Sequence, residues 1–155
     1  MMQRMIETMA TYGLPALFLI SFCASTLLPL GSEWLLVIVL LQGTDPTTTV
    51  LVATLGNTLG SGTSYLLGRW GGTWLVQRLL RIDAQRRLQA EHWFKRFGSW
   101  ALLLAWLPVI GDPLCLAGGV LKTPPGRFFL LVATGKGLRY LTVAVLTLQS
   151  TDLLG

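Results

Sequence analysis

The chain reads as an all-α integral membrane protein made of two copies of one unit, a re-entrant helical hairpin followed by a transmembrane helix, with the second copy inverted. Three observations predict this. Hydrophobic residues make up 52% of the 155 and charged residues only 12%, with a mean hydropathy of +0.61. A soluble domain carries about twice that charged share. Leu14 to Leu41 holds one charge, Glu33, and Leu51 to Gly68 holds none. Each is long enough for a hydrocarbon layer of about 30 Å, which takes roughly 20 helical residues. Finally, each half places an acid four residues after a Leu-Pro. The two copies are Leu28-Pro29-Leu30-Gly31-Ser32-Glu33 and Leu107-Pro108-Val109-Ile110-Gly111-Asp112, offset by 79.

The elements follow in order. Met1 to Tyr12 reads as a short amphipathic lead-in. The chain is then apolar from Gly13 to Leu28, broken at Pro29 and Gly31, and apolar again from Trp34 to Leu41. One helix over this run would reach about 42 Å, too long for the core without steep tilt. Two half-helices meeting at the break fit better, and one strongly kinked helix is the alternative. An N-terminal signal peptide fits poorly, because the apolar run continues past any cleavage point, so the segment is read as retained. Gln42 to Pro46 is a turn, and Pro46 suits the first position of the next helix. Thr47 to Arg69 is a full span. Within it Gly56, Gly60, Ser64 and Gly68 recur every four residues, a stripe that lets another helix approach closely.

Seven of the twelve basic residues lie at Arg69, Arg78, Arg81, Arg86, Arg87, Lys95 and Arg96, opposed only by Asp83 and Glu91. The positive-inside rule puts this central loop in the cytoplasm. Contact with anionic lipid headgroups accounts for the same charges, so no nucleic-acid partner is expected. Ala84 to Phe97 sets Ala90, Trp93, Phe94 and Phe97 on one side, as an interfacial helix does. The second half then repeats the first. Phe97-Gly98 answers Tyr12-Gly13, Pro108 and Gly111 mark its break, Pro125 answers Pro46, and Val132-Ala133-Thr134 answers Val52-Ala53-Thr54. The whole chain, 1–155, is one membrane domain, with repeat one over about 12–70, the loop over about 71–97 and repeat two over about 98–150. With the loop inside, the two hairpins open to opposite sides.

Glu33 and Asp112 are the first candidate site residues. An acid at membrane depth costs roughly 3 kcal/mol or more unless it faces a partner or a water-filled cavity. Paired acids at the interface of two repeats suit a transport site, and the competing reading is that each caps the half-helix after it. Lys136 and Arg139, three residues apart inside the last span, are the expected countercharges. Two readings stay open for them, an architectural ion pair and a headgroup phosphate held by both. Burial and neighbouring cations make proton coupling chemically accessible. Nothing pairs a nucleophile with a base: His92 is alone, and Ser25, Ser32 and Ser61 lack one nearby. Cys23 and Cys115 lack metal or disulfide spacing. No catalytic residue, cofactor or metal is expected, and the chain is not read as an enzyme.

These residues resemble the DedA family, also described by the VTT domain, and in particular its short YqaA-like branch. The likeness rests on Leu28-Pro29 with Glu33, on Tyr65-Leu66-Leu67-Gly68-Arg69-Trp70-Gly71-Gly72, on Arg96-Phe97-Gly98 leading to Leu107-Pro108, on Gly118-Gly119, and on Lys136 to Tyr140. The resemblance implies a polytopic inner-membrane protein with paired re-entrant helices, tied to moving lipids or polyprenyl phosphate carriers and to proton-dependent physiology. It also implies roles for Glu33 and, twelve residues later, Asp45. Larger members carry arginines where this chain has Ala105 and Gly111, and Gly-Asp where it has Gly60-Ser61. The expectation is therefore a small transporter or flippase-like protein acting on an anionic lipid headgroup, with membrane lipids as partners and a homodimer allowed. The alternative is a non-transporting assembly or adaptor protein that supports envelope integrity.

Overall fold

A computed structural model describes residues 2–25, 31–71, 84–108 and 110–154. Pro29, expected to break the first hairpin, and the loop residues Arg78, Arg81 and Asp83 lie outside the described residues. Every regular element among the described residues is helical: α1 (Met2–Ala24), α2 (Glu33–Leu41), α3 (Pro46–Trp70), α4 (Ala84–Phe97), a 3-10 arm (Gly98–Trp106), α5 (Gly111–Val120) and α6 (Pro125–Leu154).

Helix α1 absorbs both the expected lead-in and the first apolar stretch, between which the polarity changes at Tyr12. Met, Gln, Arg, Glu and Ala there are all good helix formers, so the change in polarity does not end the helix. Its apolar part, Tyr12–Ala24, is about 20 Å long, short of a bilayer core. Helices α2 and α5, of 9 and 10 residues, are shorter still. Among the described residues one helix is both long and apolar enough to cross, Pro125–Asp152 of α6. Helix α3, with 25 residues, has the length. Its glycines, serines and threonines dilute the hydropathy.

The 3-10 arm follows its own period. With three residues per turn, Leu102 and Ala105 fall on a buried face, and Trp100 and Trp106 on an exposed one. It follows α4 through Gly98, whose φ of +60° is strained for a residue with a side chain. Ala90 and Phe94 of α4 are buried in the core formed with α5 and the arm, whereas Phe97 is exposed.

Two apolar cores flank the middle of the molecule. One gathers Tyr65, Phe94, Leu102, Leu114, Phe128 and Val132; the other gathers Leu17, Leu36, Leu40, Ala53, Tyr140 and Ala144. Helix α3 passes from the second core to the first and α6 from the first to the second, so the two long helices run antiparallel. Packing between the halves is crossed: α2 lies on α6 and α5 on α3, while α1 lies on α3 and the 3-10 arm on α6.

The small-residue stripe of α3 makes this closeness possible. A side chain at Gly56 would meet the Phe18 carbonyl, one at Gly60 the Phe22 carbonyl, and one at Gly68 the Leu116 carbonyl. The stripe thus serves α1 at one end and α5 at the other. Ser64 is buried on the same face. In the second half Gly135 meets the Leu103 carbonyl in the same way.

Candidate functional site

Between the two cores, polar side chains converge. Lys136 and Arg139 sit near the midpoint of α6, and Glu33 and Asp112 occupy the first turns of α2 and α5. An acid in a first turn faces the positive end of the helix dipole, yet neither helix has a side-chain cap bond at its N-cap residue, Ser32 or Ile110. All four charged residues line one cavity of about 50 Å³, together with Ser25, Gly31, Asn57, Ala105, Pro108 and Tyr140. A water needs roughly 10–15 Å³ of such space, so the cavity holds a few waters or one small ion.

Arg139 bridges three elements. One guanidinium nitrogen is ion-paired with Glu33 Oε1 on α2, and the other donates to the Trp106 carbonyl at 2.8 Å at the end of the 3-10 arm. Glu33 reaches this position by folding over Gly31. A methyl group on Gly31 would collide with its carboxylate. Gly111 does comparable work in the second break, where a Cβ would strike the Ala105 carbonyl.

Lys136 lies deeper, with 5% of its surface exposed, against 28% for the Arg139 side chain and 23% for Glu33. Its ammonium donates to Ser25 Oγ at 2.9 Å, to Ser61 Oγ, to Asn57 Oδ1 and, at 3.4 Å, to the Asn57 carbonyl. Asp112 lines the same cavity as Lys136, Ser25 and Arg139 from the first turn of α5. Asn57 Nδ2 donates to Tyr140 Oη at 2.7 Å, and that hydroxyl also meets Ser32 Oγ. The two acids and two bases sum to zero, which is what a buried cluster needs.

Sequence reasoning singled out the four charges but not Asn57, Ser25, Ser61, Ser32 or Tyr140 as their partners. One signal was present: Asn57 stands 79 residues before Lys136, the repeat offset, and Ser61 stands 79 before Tyr140. Asp45 does not line the cavity. It caps α3, accepting from the Thr48 amide and hydroxyl at 2.7 Å each.

Beside the polar cavity runs an apolar groove of about 500 Å³ between the 3-10 arm and α6, lined by Leu103, Leu104, Trp106, Leu138 and Val143. Arg139 borders both.

Among known proteins, the family model of the VTT domain matches residues 28–149. The chain is 42% identical over 135 residues to inner membrane protein YqaA of Escherichia coli, covering 86% of this chain and 90% of that one. An uncharacterised protein of Haemophilus influenzae is 36% identical over 148 residues, 89% and 88% of the two chains. The uncharacterised membrane protein YbfM of Bacillus subtilis is 25% identical over 142 residues, 86% and 88%. No solved structure gives a significant match.

Proposed function

The chain belongs to the VTT-domain, or DedA, family of membrane proteins, and from that premise we propose that it is a small inner-membrane transporter of the flippase type, acting on an anionic lipid or lipid-carrier headgroup. The observation that carries this reading is the meeting of Glu33, Asp112, Lys136 and Arg139 in one polar cavity at the first turns of α2 and α5. Charge at that depth is expensive, and such groups mark substrate or ion paths. Arg139 adds the second support, since it joins the polar cavity to an apolar groove. A headgroup on the guanidinium and a tail in the groove match that pair of surfaces. The cavity is too small for a headgroup as it stands, so transport requires the hairpins to part.

In this reading the hairpins are re-entrant and open to opposite sides, the central loop is cytoplasmic and multi-pass topology follows. The antiparallel course of α3 and α6 supports it. The chain performs no covalent chemistry, protons are the coupling ion the carboxylates allow, and a homodimer is the assembly to test for.

The decisive experiment is a leaflet-exchange assay in reconstituted vesicles. Glu33→Gln should abolish exchange while insertion and folding persist. Full activity in that variant removes Glu33 from the mechanism. The competing reading, a non-transporting assembly protein, is favoured by the ammonium's complete set of acceptors, which a purely structural cluster would also show. Replacing Asp112 and Arg139 together by apolar residues separates the two: an unchanged envelope phenotype supports assembly, and loss of exchange in a folded protein supports transport.

A further inference from the structure

The oxygens around Lys136 form a shell of the kind that holds a hard cation. Two hydroxyls, Ser25 Oγ and Ser61 Oγ, and two carbonyls of one residue, Asn57 Oδ1 and Asn57 O, point at one nitrogen. The shell is braced by further hydrogen bonds. Ser25 and Ser61 bond each other at 2.7 Å, and the Asn57 amide nitrogen is tied to Tyr140, which leaves its oxygen aimed inward. Oxygen donor sets suit alkali and alkaline-earth ions rather than transition metals, and these four acceptors are all oxygens, with the buried Cys115 thiol beside Ser61.

Charge then selects the valence. Glu33 and Asp112 balance Lys136 and Arg139, so losing the ammonium leaves the cavity one negative charge in excess. A monovalent cation restores neutrality there, and a divalent one overshoots it. The shell closes around one nitrogen in a buried place, so a bulky organic cation has no room.

We propose that the Ser25–Asn57–Ser61 shell is a monovalent-cation site whose resident is the Lys136 ammonium, so that the lysine and an alkali ion exclude one another. The native protein then carries its own tethered cation and needs neither Na⁺ nor K⁺ to hold the site together. The shell becomes available to an alkali ion when the ammonium is withdrawn. This inference stands apart from the transport reading, because it concerns what the shell binds and not what crosses the membrane.

The test is thermal unfolding of the purified full chain in detergent, in KCl, NaCl and choline chloride at equal ionic strength. The native protein should give the same midpoint in all three. Lys136→Met and Lys136→Ser should be lower in choline and rise saturably, by several degrees, with Na⁺ or K⁺. Adding Asn57→Leu to Lys136→Ser removes a shell oxygen and should remove that response. Equal behaviour of the lysine variants in choline and alkali chloride would overturn the proposal, with a protonated Asp112 as the neutralising group instead. Failure of both variants to fold in every salt overturns it as well, since an alkali ion is required to restore them.

Discussion

Asn57 of α3 and Lys136 of α6 stand 79 residues apart and are bonded to each other. The contact joins the two long helices between the two apolar cores. Helix α6 supplies the charge and α3 the carbonyl oxygens that receive it.

Cutting this contact on the neutral side tests its weight. Asn57→Leu keeps much of the volume but leaves a buried ammonium short of an acceptor and Tyr140 without its amide donor. The loss of hydrogen bonds to a charged group is expected to cost about 1.5–3 kcal/mol. Chemical or thermal unfolding in detergent reads it. An unchanged midpoint would mean that water replaces Asn57 at no cost.

The packing glycines give a matched pair. Gly56 approaches the Phe18 carbonyl and Gly135 the Leu103 carbonyl. The glycines are 79 apart and the carbonyl residues 85 apart, the offset that also relates Tyr12-Gly13 to Phe97-Gly98. Alanine at either glycine should overpack the joint between a long helix and its first arm, at about 1–3 kcal/mol. Gly126→Ala, where a side chain meets nothing, is the control and should be neutral. If Gly56→Ala and Gly135→Ala behave like Gly126→Ala, the helices separate more easily than their geometry indicates.

How much of this was legible beforehand depends on the kind of residue. Glu33, Asp112, Lys136 and Arg139 stood out because charge inside an apolar run needs an explanation. Ser25, Asn57 and Ser61 did not, since hydroxyls and amides are common in helices and shift hydropathy little. Only the repeat offset pointed at Asn57. The α4 boundaries followed from helical spacing. The continuous course of α1 did not, because polarity changes at Tyr12 while helix propensity does not. The 3-10 winding of Gly98–Trp106 had no local sign, and it is set by how the arm packs against α6 and α5.

Asp45 offers a contrast between capping and transport. Its carboxyl is held below the ordinary value of 3.8, chiefly by the Thr48 hydroxyl and then by the Thr48 amide, both of which donate to the charged form. A depressed carboxyl stabilises the fold in full above its ordinary pKa and loses that contribution as the pH falls through the lowered value. Asp45→Ala should therefore lower the unfolding midpoint at neutral pH, and the gap from the native protein should close in acid. Lipid exchange at neutral pH should be retained by the folded variant. Loss of exchange with an unaltered midpoint would instead place Asp45 in the transport path, as the family likeness implies.

The last prediction concerns sidedness, on which the transport reading turns. Gly31 and Pro108 both line the polar cavity, one from each hairpin break. In a background with Cys23 and Cys115 replaced, single cysteines at these two positions report which aqueous face reaches each break. Re-entrant tips of opposite orientation predict that a membrane-impermeant thiol reagent labels position 31 from outside and position 108 from the cytoplasm. Ordinary kinked spans predict labelling without such opposition. The comparison uses two positions that share a cavity, so a difference in sidedness cannot arise from depth alone. It would have to come from a barrier between them.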